Sequence, residues 1–123
     1  MFYTSYFAKL KSIPKDIVPI SICAKAPDWY DGLQYKRLAP TYDVLMRYKG
    51  NGDTEEFERD YTIQVLNKLD MDDVAEELAD LAYGINPDFR KVCLVCFEKS
   101  DDFCHRHVVA KALKKAGYLC EEL

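Results

Sequence analysis

Nowhere in these 123 residues do about twenty apolar residues follow one another, which excludes a membrane-spanning helix of ordinary length. The opening stretch MFYTSYFAKL lacks the basic start, the long apolar run and the small-residue cleavage site of a secretory signal. A cytoplasmic protein is therefore expected. An excess of basic charge is missing as well. Seventeen Lys and Arg stand against twenty-one Asp and Glu, for a net charge of -4. That balance excludes the broad positive surface of a sequence-independent nucleic-acid binder and leaves room only for a local basic pocket. There is no internal repeat and no low-complexity tract. Histidine is scarce: the two in the chain, His105 and His107, must carry any imidazole chemistry or metal ligation.

What is present fits one folded domain spanning residues 1–123. A hydrophobic fraction of 49% with 31% charged residues is ordinary for a globular chain, and a chain of this length buries roughly two-thirds of its unfolded surface, enough for one core. Five cysteines are an odd number, and with no export signal they are expected as reduced thiols rather than as a disulfide framework.

Taken in order, residues 1–8 are aromatic and β-prone and predict a first strand. Residues 17–23, IVPISIC, predict a second, with Pro19 demanding an edge or early-strand position because it lacks a ladder donor. Residues 24–41 carry two prolines and the only tryptophan and show no sustained period, so they read as a long ordered loop. Such loops serve as lids or binding loops, unless Trp29 and Tyr30 simply pack onto the core. Thr41 is placed to cap a short helix reaching about residue 49, which Gly50-Asn51-Gly52 ends. Phe57, Tyr61, Val65 and Leu69 recur every four residues and predict an amphipathic helix from Thr54. A further helix is expected over residues 71–83, led by Asp70, with Gly84 in the C′ position. Residues 90–97, RKVCLVCF, are apolar on both parities, as in a central parallel strand covered on both faces. After the turn SDDF, Val108, Ala112 and Ala116 predict a last helix ending at Gly117, followed by a short strand at residues 118–120. The expected fold is α/β: a mainly parallel sheet flanked by helices.

The chemistry gathers in residues 91–107, KVCLVCFEKSDDFCHRH. Alternation along a strand sends Cys93 and Cys96 to opposite faces, so Cys93 is expected in the core rather than in a Cys-x2-Cys redox or zinc motif. Cys96 and Glu98 share parity at the carboxyl end of the strand, where open α/β sheets bind ligands. Cys104, His105 and Arg106 follow at a helix start, where unpaired amides and the helix dipole favour an anion and lower a thiol pKa. Arg106 can add a bidentate donor for phosphate or carboxylate. Three readings stand side by side. Cys104 is a nucleophile, with His105 or His107 as base and Glu98 as an orienting or acid–base carboxylate. Alternatively Cys96, Cys104, His105 and His107 hold a metal, against which stands the rarity of adjacent residues ligating one ion. In the third, the residues are structural, with Glu98 and Arg106 paired. If the sheet is parallel, Thr4, Ser5 and Tyr6 near the first strand, and Ser21, Cys23 and Lys25 near the second, open onto the same edge, although sheet packing for Tyr6 and a solvated Lys25 are the plainer roles.

With these residues in view the chain resembles the DUF488 family of small bacterial and phage proteins. The resemblance is carried by Thr4-Ser5-Tyr6-Phe7, by Leu38-Ala39-Pro40, and above all by Cys96-x-Glu98-Lys99 followed by Cys104-His105-Arg106-His107. It implies a compact α/β domain with a shared site at Glu98, Cys104, His105 and Arg106, and supplies no reaction. Ile22-Cys23-Ala24-Lys25 departs from the family's usual Asp-Val-Arg-type segment. The expectation is a cytoplasmic protein with an anion-accepting crevice for a nucleotide or another phosphorylated small molecule. Cys104, His105 and Glu98 would do the chemistry, Arg106, Ser5, Tyr6 and Lys25 the binding, with no cofactor and no membrane partner. A non-catalytic interaction module using Trp29, Tyr30 and Tyr35 is the alternative.

Overall fold

The strand apolar on both parities lies at the centre of the computed structural model, which describes residues 2–89, 91–97 and 104–123. Five strands, β1 (Phe2–Tyr6), β2 (Ile17–Ser21), β3 (Leu33–Gln34), β4 (Lys91–Cys96) and β5 (Cys120–Glu122), form one sheet in the order β3-β2-β4-β1-β5. Every pairing is parallel. Among the described residues four α-helices, α1 (Tyr42–Asn51), α2 (Thr54–Gln64), α3 (Met71–Ile85) and α4 (His105–Lys115), complete the α/β fold expected from the sequence.

Alternation along β4 divides the interior. Val92 and Leu94 belong to a large cluster with Val44 of α1, Phe57 and Tyr61 of α2, Val74, Leu78 and Ala82 of α3, and Val109 and Leu113 of α4. Cys93 and Val95 belong to a second cluster with Phe7, Ile17 and Cys23, against which Leu10, Ile13 and Tyr30 pack. All four α-helices therefore feed one cluster. The other is covered by the short 3-10 turn Phe7–Ser12 and by the loop after β2. Pro19 is tolerated in β2 because β3 pairs only with Ile20 and Ser21, leaving the proline beyond its reach.

Several boundaries differ from expectation for local reasons. Residues 24–41 are not wholly irregular: β3 and a 3-10 turn at Lys36–Leu38 lie within them. Two paired residues are too few to leave a period in sequence. Thr41 precedes α1 but turns its hydroxyl to Asp43 Oδ1 (2.7 Å) and Gln64 Oε1 (2.9 Å) instead of capping an amide. Asp53 and Asp70 do cap, accepting from Glu56 N and Asp72 N. The four-residue period of α2 outlasts the helix, since Val65 leads into a 3-10 turn, Leu66–Lys68. Gly84 lies inside α3, which continues to Ile85, whereas Gly52 (φ 66°) and Gly117 (φ 100°) take left-handed conformations just past α1 and α4. The last strand lies two residues later than expected. Among the described residues no helix is long and apolar enough to cross a membrane.

Tyr61 ties α2 to the 3-10 turn at Lys36–Leu38: its buried hydroxyl donates to the Leu38 carbonyl. Tyr61→Phe is expected to cost about 1 kcal/mol by orphaning that carbonyl, read as a lower urea midpoint at unchanged m-value.

Topology sets where a ligand enters. The chain leaves β2 outward to β3, but leaves β4 in the opposite direction, through α4 to β5 beyond β1. Connections that diverge from adjacent strands open a crevice at the carboxyl ends of the pair.

Candidate functional site

At that crevice the structure opens a cavity of about 580 Å³, within the range of small-molecule sites. Cys23, Ala24 and Lys25 after β2, Cys96 and Phe97 at the end of β4, Cys104 and His105 at the start of α4, and Pro40, Leu45 and Lys49 around α1 form its walls. Each piece has a local cause. Ile22 N donates to the Val95 carbonyl and extends the sheet by one residue past β2, and Ser21 Oγ then accepts from Cys23 N to start the turn. Cys104 is still extended (φ -149°, ψ 153°), whereas His105 is the first residue of α4, so the two neighbouring side chains are not forced onto diverging helical directions.

His105 is held hard. Only 6% exposed, it lies edge-on to Tyr61 with ring centres 5.6 Å apart, and its Nε2 is 2.7 Å from the Ile22 carbonyl. A carbonyl can only accept, so Nε2 carries the proton and Nδ1 keeps its lone pair. Nδ1 faces Cys104 Sγ at 3.6 Å. Burial, with a smaller contribution from the Arg106 charge and against the opposing hydrogen bond to Ile22, drives the imidazole pKa down to about 4. The ring is therefore neutral at physiological pH, an acceptor towards the thiol position.

Cys96 and Cys104 correct an expectation: reduced thiols were expected throughout, but the structure joins these two as a disulfide, with Cα atoms 7.3 Å apart. The odd count of five argues against a disulfide framework, and it says nothing of a single pair that a strand end and a helix start bring face to face. Cys93, Cys120 and Cys23 take no part in it. Cys93 is fully buried, as expected, and desolvation pushes its thiol up to about 12. In the disulfide state Cys104 has no thiolate, so a nucleophilic role begins with reduction.

Arg106 is also placed differently from expectation. Fully buried, it gives Nε and Nη2 to the two carboxylate oxygens of Glu122 (3.1 and 3.0 Å) and Nη1 to Cys96 Sγ (2.9 Å). Its guanidinium carbon lies 5.9 Å from the centre of the Tyr6 ring. Among the described residues the fork thus addresses β5 and the disulfide. Glu122, which also accepts from Thr4 Oγ1, is the residue that sequence reasoning missed. The signal was an acidic residue in the final strand, hidden because that strand was expected to stop at Cys120.

Among the remaining candidates Cys23 and Lys25 reach the cavity, Cys23 buried in its wall and Lys25 exposed at its mouth together with Lys49. Ser5 is fully buried, and among the described residues its Oγ has no hydrogen-bond partner. Tyr6 pairs with Cys96 in register, under Arg106. His107 is partly buried one position beyond Arg106 and lies outside the group formed by Cys96, Cys104 and His105. Glu98 and the turn that follows it fall outside the described residues.

A family model described as the active DUF488-N3 subclade matches residues 10–117. The chain belongs to the DUF488 family. No curated protein and no solved structure matches it. The DUF488 match takes in β2, β4 and α4, and hence both walls of the crevice and the whole Cys96 to His107 signature.

Proposed function

We propose that this DUF488 protein works in the cytoplasm on a nucleotide or another phosphorylated small molecule, received in the crevice between the ends of β2 and β4. The observation that carries the reading is one cavity with Cys104 and His105 in its wall and two lysines, Lys25 and Lys49, at its edge. Lysines offer point charges for phosphate, and the amides at the start of α4 add a dipole of the right sign.

The chemistry starts once a thiol reductant has opened the Cys96–Cys104 bond. Cys104 then stands at a helix N-terminus, which favours the thiolate, beside a neutral imidazole whose Nδ1 accepts its hydrogen bond. The thiol proton passes to His105 Nδ1 as the sulfur attacks an electrophilic centre of the bound molecule; the bond from that centre to its leaving group breaks, and the leaving group departs with that proton, Glu98 serving as the acid–base or orienting carboxylate. Arg106 acts from behind: by donating to Cys96 Sγ it favours the thiolate of Cys96, and by binding Glu122 it fixes the first turn of α4. A non-catalytic interaction module is the second reading, favoured by Trp29, which is 64% exposed while Tyr35 is buried.

Calorimetric titration of the reduced protein with nucleoside mono- and triphosphates and with pyrophosphate tests the first reading. Binding that weakens with salt, and about tenfold (about 1.4 kcal/mol) in Lys25→Ala or Lys49→Ala, is expected. No binding of any of these by the reduced wild type, or binding indifferent to both lysines, would overturn it.

A further inference from the structure

We infer that the reduced form of this site is a metal centre: Cys96, Cys104 and His105 are three ligands for a zinc-like divalent ion, and the fourth position opens into the cavity. The inference does not depend on what the crevice receives. The ligand atoms of the three residues all lie within 4.8 Å of one another, although the residues come from the end of one strand and the start of the next helix. Adjacency of Cys104 and His105, which weighed against a shared ion in the sequence, is overcome by the extended conformation of Cys104 just before α4.

The geometry fits tetrahedral coordination. Zinc–sulfur and zinc–nitrogen bonds of about 2.3 and 2.0 Å put the two donor atoms about 3.5 Å apart along a tetrahedral edge, and Cys104 Sγ stands 3.6 Å from His105 Nδ1. The Cα atoms of Cys96 and Cys104 are 7.3 Å apart, beyond the roughly 4.4–6.8 Å usual for disulfides. Two thiolates about 3.8 Å apart across an ion span such a separation.

The surroundings are those of a ligand set. His105 gives its Nε2 proton to the Ile22 carbonyl, the hydrogen bond that fixes which nitrogen of a metal-bound imidazole is free to ligate. Arg106 Nη1 donates to Cys96 Sγ, as outer-sphere donors do to metal thiolates, and its charge is balanced by Glu122. Two thiolates and a neutral imidazole neutralise a divalent ion, so the loaded centre is uncharged where Cys96 is fully buried and Cys104 and His105 are each 6% exposed. Two sulfurs and one imidazole select zinc, or cobalt in its place, over magnesium or calcium. Three protein ligands beside an open cavity are the arrangement of a catalytic zinc rather than of a closed structural one.

Loading is redox-gated. A dithiol gives two electrons and two protons to the Cys96–Cys104 bond and leaves as its own disulfide; the ion then displaces the two thiol protons. A small-molecule disulfide reverses this: it takes two electrons from the two thiolates by exchange, leaves as thiols with two protons from water, re-forms the Cys96–Cys104 bond and releases the ion.

The test is a cobalt titration of the whole chain, reduced with a phosphine, stripped with chelator and freed of both, with no phosphate present. The expected result is one equivalent of cobalt taken up, with intense tetrahedral d–d absorption and a sulfur-to-cobalt charge-transfer band. The oxidised protein should show neither. Cys104→Ser and His105→Gln, checked as folded by circular dichroism, should weaken uptake at least tenfold. Because a variant can fail through folding, wild-type protein is also alkylated with and without zinc and mapped by mass spectrometry, with zinc expected to protect Cys96 and Cys104 at least tenfold. Absence of the bands in reduced wild type, bands that survive Cys104→Ser, or alkylation unaffected by zinc would each overturn the inference. Because no anion is present, any of these results leaves the phosphate reading to its own titration.

Discussion

Arg106→Met is expected to lower the stability of the fold by about 3 kcal/mol, the largest loss among the single substitutions considered. The side chain is fully buried, and two of its nitrogens hold both oxygens of Glu122. Removing one member of a buried pair costs about 3–5 kcal/mol, because the other member keeps its charge without a partner. The Glu122 side chain is 25% exposed, so water takes up part of that charge and the lower end of the range applies. For a domain whose whole stability is about 5–15 kcal/mol this is a large share. Arg106→Lys keeps the charge but not the planar fork, and is expected to lose about half as much. If the pair causes the loss, Glu122→Gln should restore part of it in the Arg106→Met background. Urea unfolding of wild type, Arg106→Met, Glu122→Gln and the double variant under the same redox conditions decides this: equal midpoints for wild type and Arg106→Met would show that the pair does not stabilise the fold, and strict additivity in the double variant would place the cost in lost packing instead.

That pair also shows where the sequence stops being informative. β4 was legible because a strand buried on both faces must be apolar at every position, and the run through Val92, Leu94 and Val95 has no other use. α2 and α3 were legible because a period near four residues in the one, and Asp70 ahead of the other, leave little else to form. Cys93 was legible as core from strand alternation alone. Glu122 was not, since its partner is 16 residues away and the contact depends on β5 lying beside β1 rather than beside β4. The Cys96–Cys104 pairing was hidden for a related reason. Spacing placed both near the same crevice, but their side-chain directions depend on how the chain turns between them. The role of Arg106 changed most. Its type and place suggested an anion receptor, yet burial of a guanidinium requires a carboxylate, and the fold supplies one from the far end of the chain. Lys25, expected among the binding residues although solvation was its plainer role, stands at the mouth of the cavity, where the turn after β2 meets the end of β4.

Stability should fall steeply with pH between about 6.5 and 4, on account of His105. In the unfolded chain its imidazole titrates near its ordinary value, whereas burial in the fold holds the pKa down to about 4. Above 6.5 both states are neutral and the residue gives no pH dependence. As pH falls through that value the unfolded chain takes up a proton that the folded site refuses, so the unfolded state gains. The loss grows by up to about 1.4 kcal/mol per pH unit and levels off once the folded imidazole is itself protonated, for a total of about 3 kcal/mol. Asp43 and Glu77, whose carboxyls are held below their ordinary range by hydrogen bonds from Thr41 and Tyr35 respectively, push in the same direction at lower pH. The informative quantity is therefore the difference between wild type and His105→Gln, in which an amide can still donate to the Ile22 carbonyl but nothing titrates. Urea midpoints of the oxidised protein in chelator, from pH 7.5 to 4.5, should converge as the pH drops, with wild type losing most of its lead below about pH 6. A constant gap across that range would mean that burial does not hold the imidazole neutral, and a gap that widens as the pH drops would mean that the fold keeps His105 protonated. In the second case the neutral Nδ1 facing Cys104, on which both the thiol chemistry and the metal centre rely, would be gone.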